Sequence, residues 1–136
     1  MIQNTIAELI KKAIQDQGLE ISEIVLEHPE DMKHGDYASN AALVLAKKEG
    51  KNPLELAQAL AESIGEAREI ERVEAAVPGF LNFFLSKEYL LGELETILRE
   101  KDSYGTNDSM EGEKVMVEFT DPNPFKEFHI GHLYSN

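Results

Sequence analysis

The feature that most restricts the possible folds is the pair of strand-like runs on either side of Pro78-Gly79. Residues 70–77 and 80–85 are rich in β-branched and aromatic side chains, and a Pro-then-Gly pair between such runs reads as a tight turn joining antiparallel partners. A hairpin has two faces. In Phe80-Leu81-Asn82-Phe83-Phe84-Leu85, alternation sets Leu81, Phe83 and Leu85 on one face and Phe80, Asn82 and Phe84 on the other. The first set must be covered, and amphipathic helices are the available cover.

Those helices are legible along the chain. Residues 5–17 carry an apolar stripe of Ile6, Leu9, Ile10, Ala13 and Ile14, with Asn4 as the expected N-cap and Gly18 as the left-handed residue after the end. Residues 21–27 read as a strand ending at His28-Pro29. A loop follows, then a turn and short strand over 34–40, with Ser39 or Asn40 capping a helix over 41–48 that Gly50 stops. Asn52-Pro53-Leu54-Glu55 is a compact helix start, followed by the stripe Leu56, Ala57, Leu60, Ala61 and Ile64, with Gly65 at the end. Ser86 caps a last helix over 87–99 with the stripe Leu90, Leu91, Leu94, Ile97 and Leu98. The order α-β-β-α-α-β-β-α predicts an α+β, two-layer domain: a small antiparallel sheet of about four strands with all the helices on one face. Such a sheet leaves its other face partly open.

On that open face Phe80 and Phe84 flank Asn82, and all three are expected to be at least partly exposed. Aromatic rings beside an amide can stack on and hydrogen-bond unpaired RNA bases. The same set also suits a protein contact. Charge limits how RNA would be held. The net charge is −13, so there is no basic face for sequence-independent phosphate binding, and any RNA contact must be local and led by shape. Lys11-Lys12 and Lys47-Lys48 with Lys51 read as solvated helix ends favoured by the helix dipole rather than as an RNA patch. An apolar share of 42% with 29% charged residues is that of a globular protein, and no apolar run approaches the ~20 residues of a bilayer span. The absence of cysteine excludes a disulfide framework, and the first residues lack the pattern of a signal peptide.

Residues 101–113 are small, polar and glycine-containing without period, and read as a linker. Beyond it, Val115-Met116-Val117-Glu118-Phe119 alternates like a strand, a Pro- and Asn-rich segment turns the chain, and His129-Ile130-Gly131-His132 opens a helix. Two imidazoles at such a start, with Gly131 permitting close approach, can reach an anionic ligand such as a phosphate. Metal ligation by His129 and His132 with Glu118 or Glu127 is the competing reading, but no cysteine or further histidine is near to complete a site.

This last passage resembles the first signature of the class I aminoacyl-tRNA synthetases, and in detail that of the arginyl-tRNA synthetases. Val117, Glu118, Phe119, Pro122, Asn123, Lys126, His129, Gly131, His132 and Ser135 stand in the family's register, while Tyr134 stands where many members carry Arg. Upstream, His34-Gly35-Asp36-Tyr37-Ala38-Ser39-Asn40-Ala41-Ala42, then Asn52-Pro53, then Pro78-Gly79-Phe80-Leu81-Asn82-Phe83 are similar to that family's N-terminal additional domain, in the same order. The resemblance implies a tRNA-binding domain over 1–100, the linker, and over 114–136 the first strand and helix start of a Rossmann-like catalytic domain. It implies an ATP-dependent, AMP-forming arginine-tRNA ligase, cytoplasmic and monomeric, with arginine, ATP and tRNA(Arg) as partners and Mg²⁺ accompanying ATP. His129 and His132 would hold ATP's phosphates with Gly131 beside them, Lys126 would add positive charge, and Asn123 and Glu118 would orient arginine. Phe80 and Asn82 would touch the D-loop at the tRNA elbow. Residues 1–136 alone are expected to be catalytically inactive. A stand-alone RNA- or protein-binding module, and another synthetase or adenylyltransferase with the same signature, are the alternatives.

Overall fold

A computed structural model describes residues 2–65, 67–117, 127 and 129–131 of the 136. The chain divides into two compact units, Met1–Asp102 and Ser103–Asn136.

In the first unit the elements run α1 (Ile2–Asp16), β1 (Leu26–Glu27), a 3-10 turn (Met32–His34), β2 (Tyr37–Ser39), α2 (Ala41–Glu49), α3 (Pro53–Ile64), β3 (Ile70–Ala76), β4 (Phe80–Leu85) and α4 (Lys87–Glu100). The four strands form one antiparallel sheet in the order β1-β2-β4-β3. This is the α+β order expected. The local start signals act as read: Asn52 Oδ1 accepts from the amides of Leu54 and Glu55, and Ser86 Oγ accepts from that of Tyr89. Each satisfies helix donors that have no partner within the helix.

The inner sheet face presents Tyr37, Leu81, Phe83 and Leu85 to Ile6, Ile10 and Ile14 of α1, Leu45 of α2, and Leu56 and Leu60 of α3, all buried in one core. Each of the larger side chains stabilises the fold by roughly 1.5–3 kcal/mol through the water it sheds. A bulge between Ile70 and Arg72 lets residues three apart, Ile70 and Val73, both pack toward this core, which plain alternation would not allow.

Four expectations are corrected. Asn4 does not cap α1; the helix begins at Ile2, which packs on the core. The strand expected over 21–27 shrinks to Leu26–Glu27. Ile21 and Ile24 pack against the core, and Ser39 Oγ donates to the Val25 carbonyl, so the β-branched pattern there records packing rather than pairing. The apolar stripe of α4 is not buried: Leu90, Leu91, Leu94, Ile97 and Leu98 are exposed, since α1, α2 and α3 already cover the inner face and only Tyr89 reaches the core. Asn82, expected to be partly exposed, is buried.

In the second unit, Val115, Met116 and Val117 are exposed and lie in no strand, where the alternation predicts one. A strand needs a partner to satisfy its backbone groups, and none pairs with these three among the described residues. Glu118 and Phe119, the rest of that expected strand, lie outside the described residues.

Candidate nucleic-acid interface

The outer sheet face is set by cross-strand register. Asn82 stands opposite Ala38 on one side and Glu74 on the other, and Ala38 in turn opposite Glu27. Phe80 stands opposite Ala76, and Phe84 opposite Arg72. Two of these neighbours are alanines. Their methyl groups leave a hollow of about 240 Å³, walled by Phe80, Val77, Pro29, Glu27 and His34, with Asn82 within it. The depth of this hollow explains the burial of Asn82, which is only 4% exposed although it points away from the core.

The Asn82 side chain makes no hydrogen bond among the described residues, yet no buried side-chain nitrogen or oxygen among them is left without a partner or water access. Its amide therefore looks into the hollow. Phe80 and Phe84 are partly exposed, as alternation predicts. The guanidinium of Arg72 lies 3.5 Å from the centre of the Phe84 ring, and its Nε donates to Glu74 at 2.7 Å, with Glu71 at 3.7 Å. Arg72 is thus held flat on the outer face by a ring and two carboxylates. These exposed pairs add little stability; their effect is to fix Glu74 beside Asn82.

His34, on the wall of the hollow, is carried by the 3-10 turn and the crossing over β4 that follows it. Asp31 accepts from the amide of Lys33, and this backbone bond, ahead of other causes, lowers the Asp31 carboxyl below its ordinary range. Gly35, at φ 83°, crosses β4 so closely that a Cβ there would lie 2.5 Å from the Phe83 carbonyl oxygen. The next amide, Asp36, donates to that same oxygen at 2.8 Å, while Asp36 Oδ2 accepts from the Leu85 amide at 2.8 Å. His28 Nδ1 donates to the Asp36 carbonyl at 2.8 Å, and its ring lies 4.3 Å from that of Tyr37. Burial, with Asp36 as a second cause, pushes the Tyr37 hydroxyl above its ordinary value.

His34, Glu27, Ala38 and Ala76 were not singled out for the site by the sequence. Nothing in linear spacing joins residue 34 to residue 82; the available signal is Gly35, whose lack of a side chain marks a close crossing of backbones.

The second site read from the sequence is described only in part. His129, Ile130 and Gly131 are exposed, and Ile130 and Gly131 are helical. The Gly131 amide donates to His129 Nδ1 at 3.1 Å, so in the neutral ring the proton resides on Nε2. A Cβ on Gly131 would lie 2.9 Å from His129 Cε1, the far end of an exposed side chain that can swing aside. Glu118, Asn123, Lys126 and His132 lie outside the described residues.

Residues 1–85 match the family model described as the arginyl tRNA synthetase N terminal domain. Among curated relatives, the chain is 42% identical over 137 residues to the arginine-tRNA ligase of Dehalococcoides mccartyi, covering 96% of this chain and 25% of that protein. It is 37% identical over 134 residues to that of Staphylococcus carnosus, covering 96% and 24%. Among solved structures, the arginyl-tRNA synthetase of Thermus thermophilus superposes with a TM-score of 0.62 at 32% identity, covering 99% of this chain and 21% of that one.

Proposed function

The chain belongs to the arginyl-tRNA synthetase N-terminal domain family, and from that premise we propose that it is the tRNA-binding front part of an arginine-tRNA ligase. It spans about a quarter of the length of the curated relatives it matches, so the ligase activity belongs to a longer protein. Residues 1–100 bind tRNA(Arg), residues 101–113 link, and residues 114–136 begin the catalytic domain.

In the intact enzyme the arginine carboxylate attacks the α-phosphate of ATP, forming arginyl-adenylate as pyrophosphate departs. A terminal ribose hydroxyl of the tRNA then takes the arginyl group and AMP leaves. Catalysis of this kind is chiefly positioning and charge stabilisation. His129 and His132 hold the phosphates, with Gly131 letting them approach and Lys126 adding charge; Asn123 and Glu118 orient arginine. The Nε2 proton of His129, left by the Gly131 bond to Nδ1, supports a donor role toward phosphate. Mg²⁺ would accompany ATP and balance the charge of its phosphates. The enzyme works in the cytoplasm as a monomer; no described helix is long and apolar enough to cross a membrane.

The observation that carries the tRNA reading is Asn82. An amide 4% exposed, without a hydrogen bond among the described residues, turned into a hollow beside an aromatic ring, supports reading of one unpaired base. Phe80 stacks on the base and Asn82 bonds its edge, at the D-loop. The hollow, near 240 Å³, lies below the ~300–1,000 Å³ of pockets for drug-sized ligands, which suits a single planar ring system.

The test is equilibrium binding of this chain to a tRNA(Arg) transcript. Phe80→Ala with Asn82→Ala should weaken binding by about 1–3 kcal/mol, the scale of one stacked base. With few phosphates engaged, binding should fall only gently with salt. Undiminished binding by the double variant would remove the role from this face.

A further inference from the structure

We infer that His34 is a third recognition group of the outer-face hollow, meeting the edge of the same unpaired base that Phe80 stacks on; this rests on the base-reading function proposed above. His34 shares the hollow with Phe80 and Asn82 but arrives there from a different part of the chain. Its position is held rigidly. The 3-10 turn that carries it is closed by the His34 amide donating to the Asp31 carbonyl at 2.9 Å and the Gly35 amide donating to the Met32 carbonyl at 3.1 Å. It is then clamped to β4 through Asp36, which donates its amide to Phe83 and accepts the Leu85 amide on its carboxylate. A backbone fixed in this way loses little freedom when a ligand docks.

The two histidines of this region differ in what their rings do. His28 is committed: Nδ1 donates to a main-chain carbonyl and the ring packs by Tyr37. The ring of His34 is exposed and has neither a hydrogen bond nor a ring contact among the described residues, so both of its nitrogens can serve a ligand. Neutral imidazole presents one donor and one acceptor, the pattern that matches a base edge, which itself alternates donors and acceptors.

Charge selects the same ligand. Glu27 lines the hollow, Glu74 stands opposite Asn82, and Asp31 lies on the turn of His34, where its one cation, Lys33, pairs with it at 3.3 Å. Arg72 is held by Glu74 and Glu71. A phosphate in the hollow would meet the Glu27 carboxylate, whereas an uncharged base can offer its amino hydrogens to it. The hollow therefore takes a nucleobase, not the backbone that carries it.

The experiment measures this chain, His34→Ala, His34→Gln, Phe80→Ala and the His34→Ala/Phe80→Ala pair against two probes: a tRNA(Arg) transcript, and the same transcript with abasic D-loop nucleotides. His34→Ala should weaken binding of the intact transcript about three- to tenfold, the range of one hydrogen bond. His34→Gln should recover part of the loss, and the pair should lose less than the product of the single losses, because both groups serve one base. Against the abasic transcript His34→Ala should bind like the unaltered chain. Wild-type affinity in His34→Ala while Phe80→Ala binds weakly would overturn this inference and leave base reading standing. Equal losses on both transcripts would also overturn it, since His34 would then act on the fold or the RNA backbone. If neither His34→Ala nor Phe80→Ala alters binding, the base-reading function falls along with it.

Discussion

Leu81 and Asn82 are neighbours on β4, 0% and 4% exposed, yet truncating Leu81 to alanine should cost much stability and truncating Asn82 almost none. Leu81 sits in the core with Phe83 and Ile10. Removing its three outer carbons forfeits about 2.4 kcal/mol at roughly 0.8 kcal/mol per carbon, and the unfilled cavity raises the cost to about 3–5 kcal/mol. For a unit of this size, at ~4–8 °C per kcal/mol, the midpoint of thermal unfolding should fall by more than about 12 °C. Asn82 is as buried but lies over the hollow, with no hydrogen bond to lose among the described residues. Its amide keeps access to water through the hollow, so Asn82→Ala gives up only a few packing contacts and should stay within about 0.5 kcal/mol of the parent. Urea and thermal unfolding followed by circular dichroism measure both. A loss above about 1.5 kcal/mol for Asn82→Ala would show that the amide is held by the fold, and the argument that it is kept for a ligand would fail.

Three further outcomes follow from the same geometry. Gly35→Ala should cost more than about 2 kcal/mol in urea unfolding, because a left-handed conformation costs roughly 1–3 kcal/mol and the new Cβ meets the Phe83 carbonyl at 2.5 Å. Leu91→Ala, at a site 61% exposed, should change stability by no more than about 0.5 kcal/mol, whereas Leu60→Ala in α3 should cost about 2–5 kcal/mol. Burial and then Asp36 raise the Tyr37 hydroxyl above its unfolded value of 10.0. The stability it contributes is therefore whole below about pH 10 and is lost as pH rises through the higher folded value. Tyr37→Phe should flatten the fall of urea midpoints above that pH.

The fold was legible wherever a local signal and a tertiary demand agreed. Asn52-Pro53 started α3, Ser86 started α4, and Pro78-Gly79 turned the hairpin, since each acts within a few residues of itself. The corrections arose where partners lie far along the chain. Ile21 and Ile24 carry β-branched side chains that pack without pairing, and the stripe of α4 looks like core but meets an inner face already covered. The site was half legible. Alternation put Phe80 and Asn82 on the outer face, but the depth at Asn82 depends on the methyl groups of Ala38 and Ala76, which only the strand register brings beside it. His34 was hidden for the same reason: its place on the wall follows from Gly35 crossing Phe83. At the second candidate site, the bond from Gly131 to His129 is a detail no spacing rule supplies.

The most direct measurement is nuclear magnetic resonance of the Asn82 side-chain NH₂ during titration of this chain with an RNA hairpin carrying the unpaired D-loop sequence of tRNA(Arg). The account predicts that the two Asn82 Nδ2 protons shift and exchange more slowly with water, together with changes at Phe80 and the ring of His34. Shifts confined to Lys11, Lys12, Lys47, Lys48 and Lys51, with Asn82 unmoved, would contradict it.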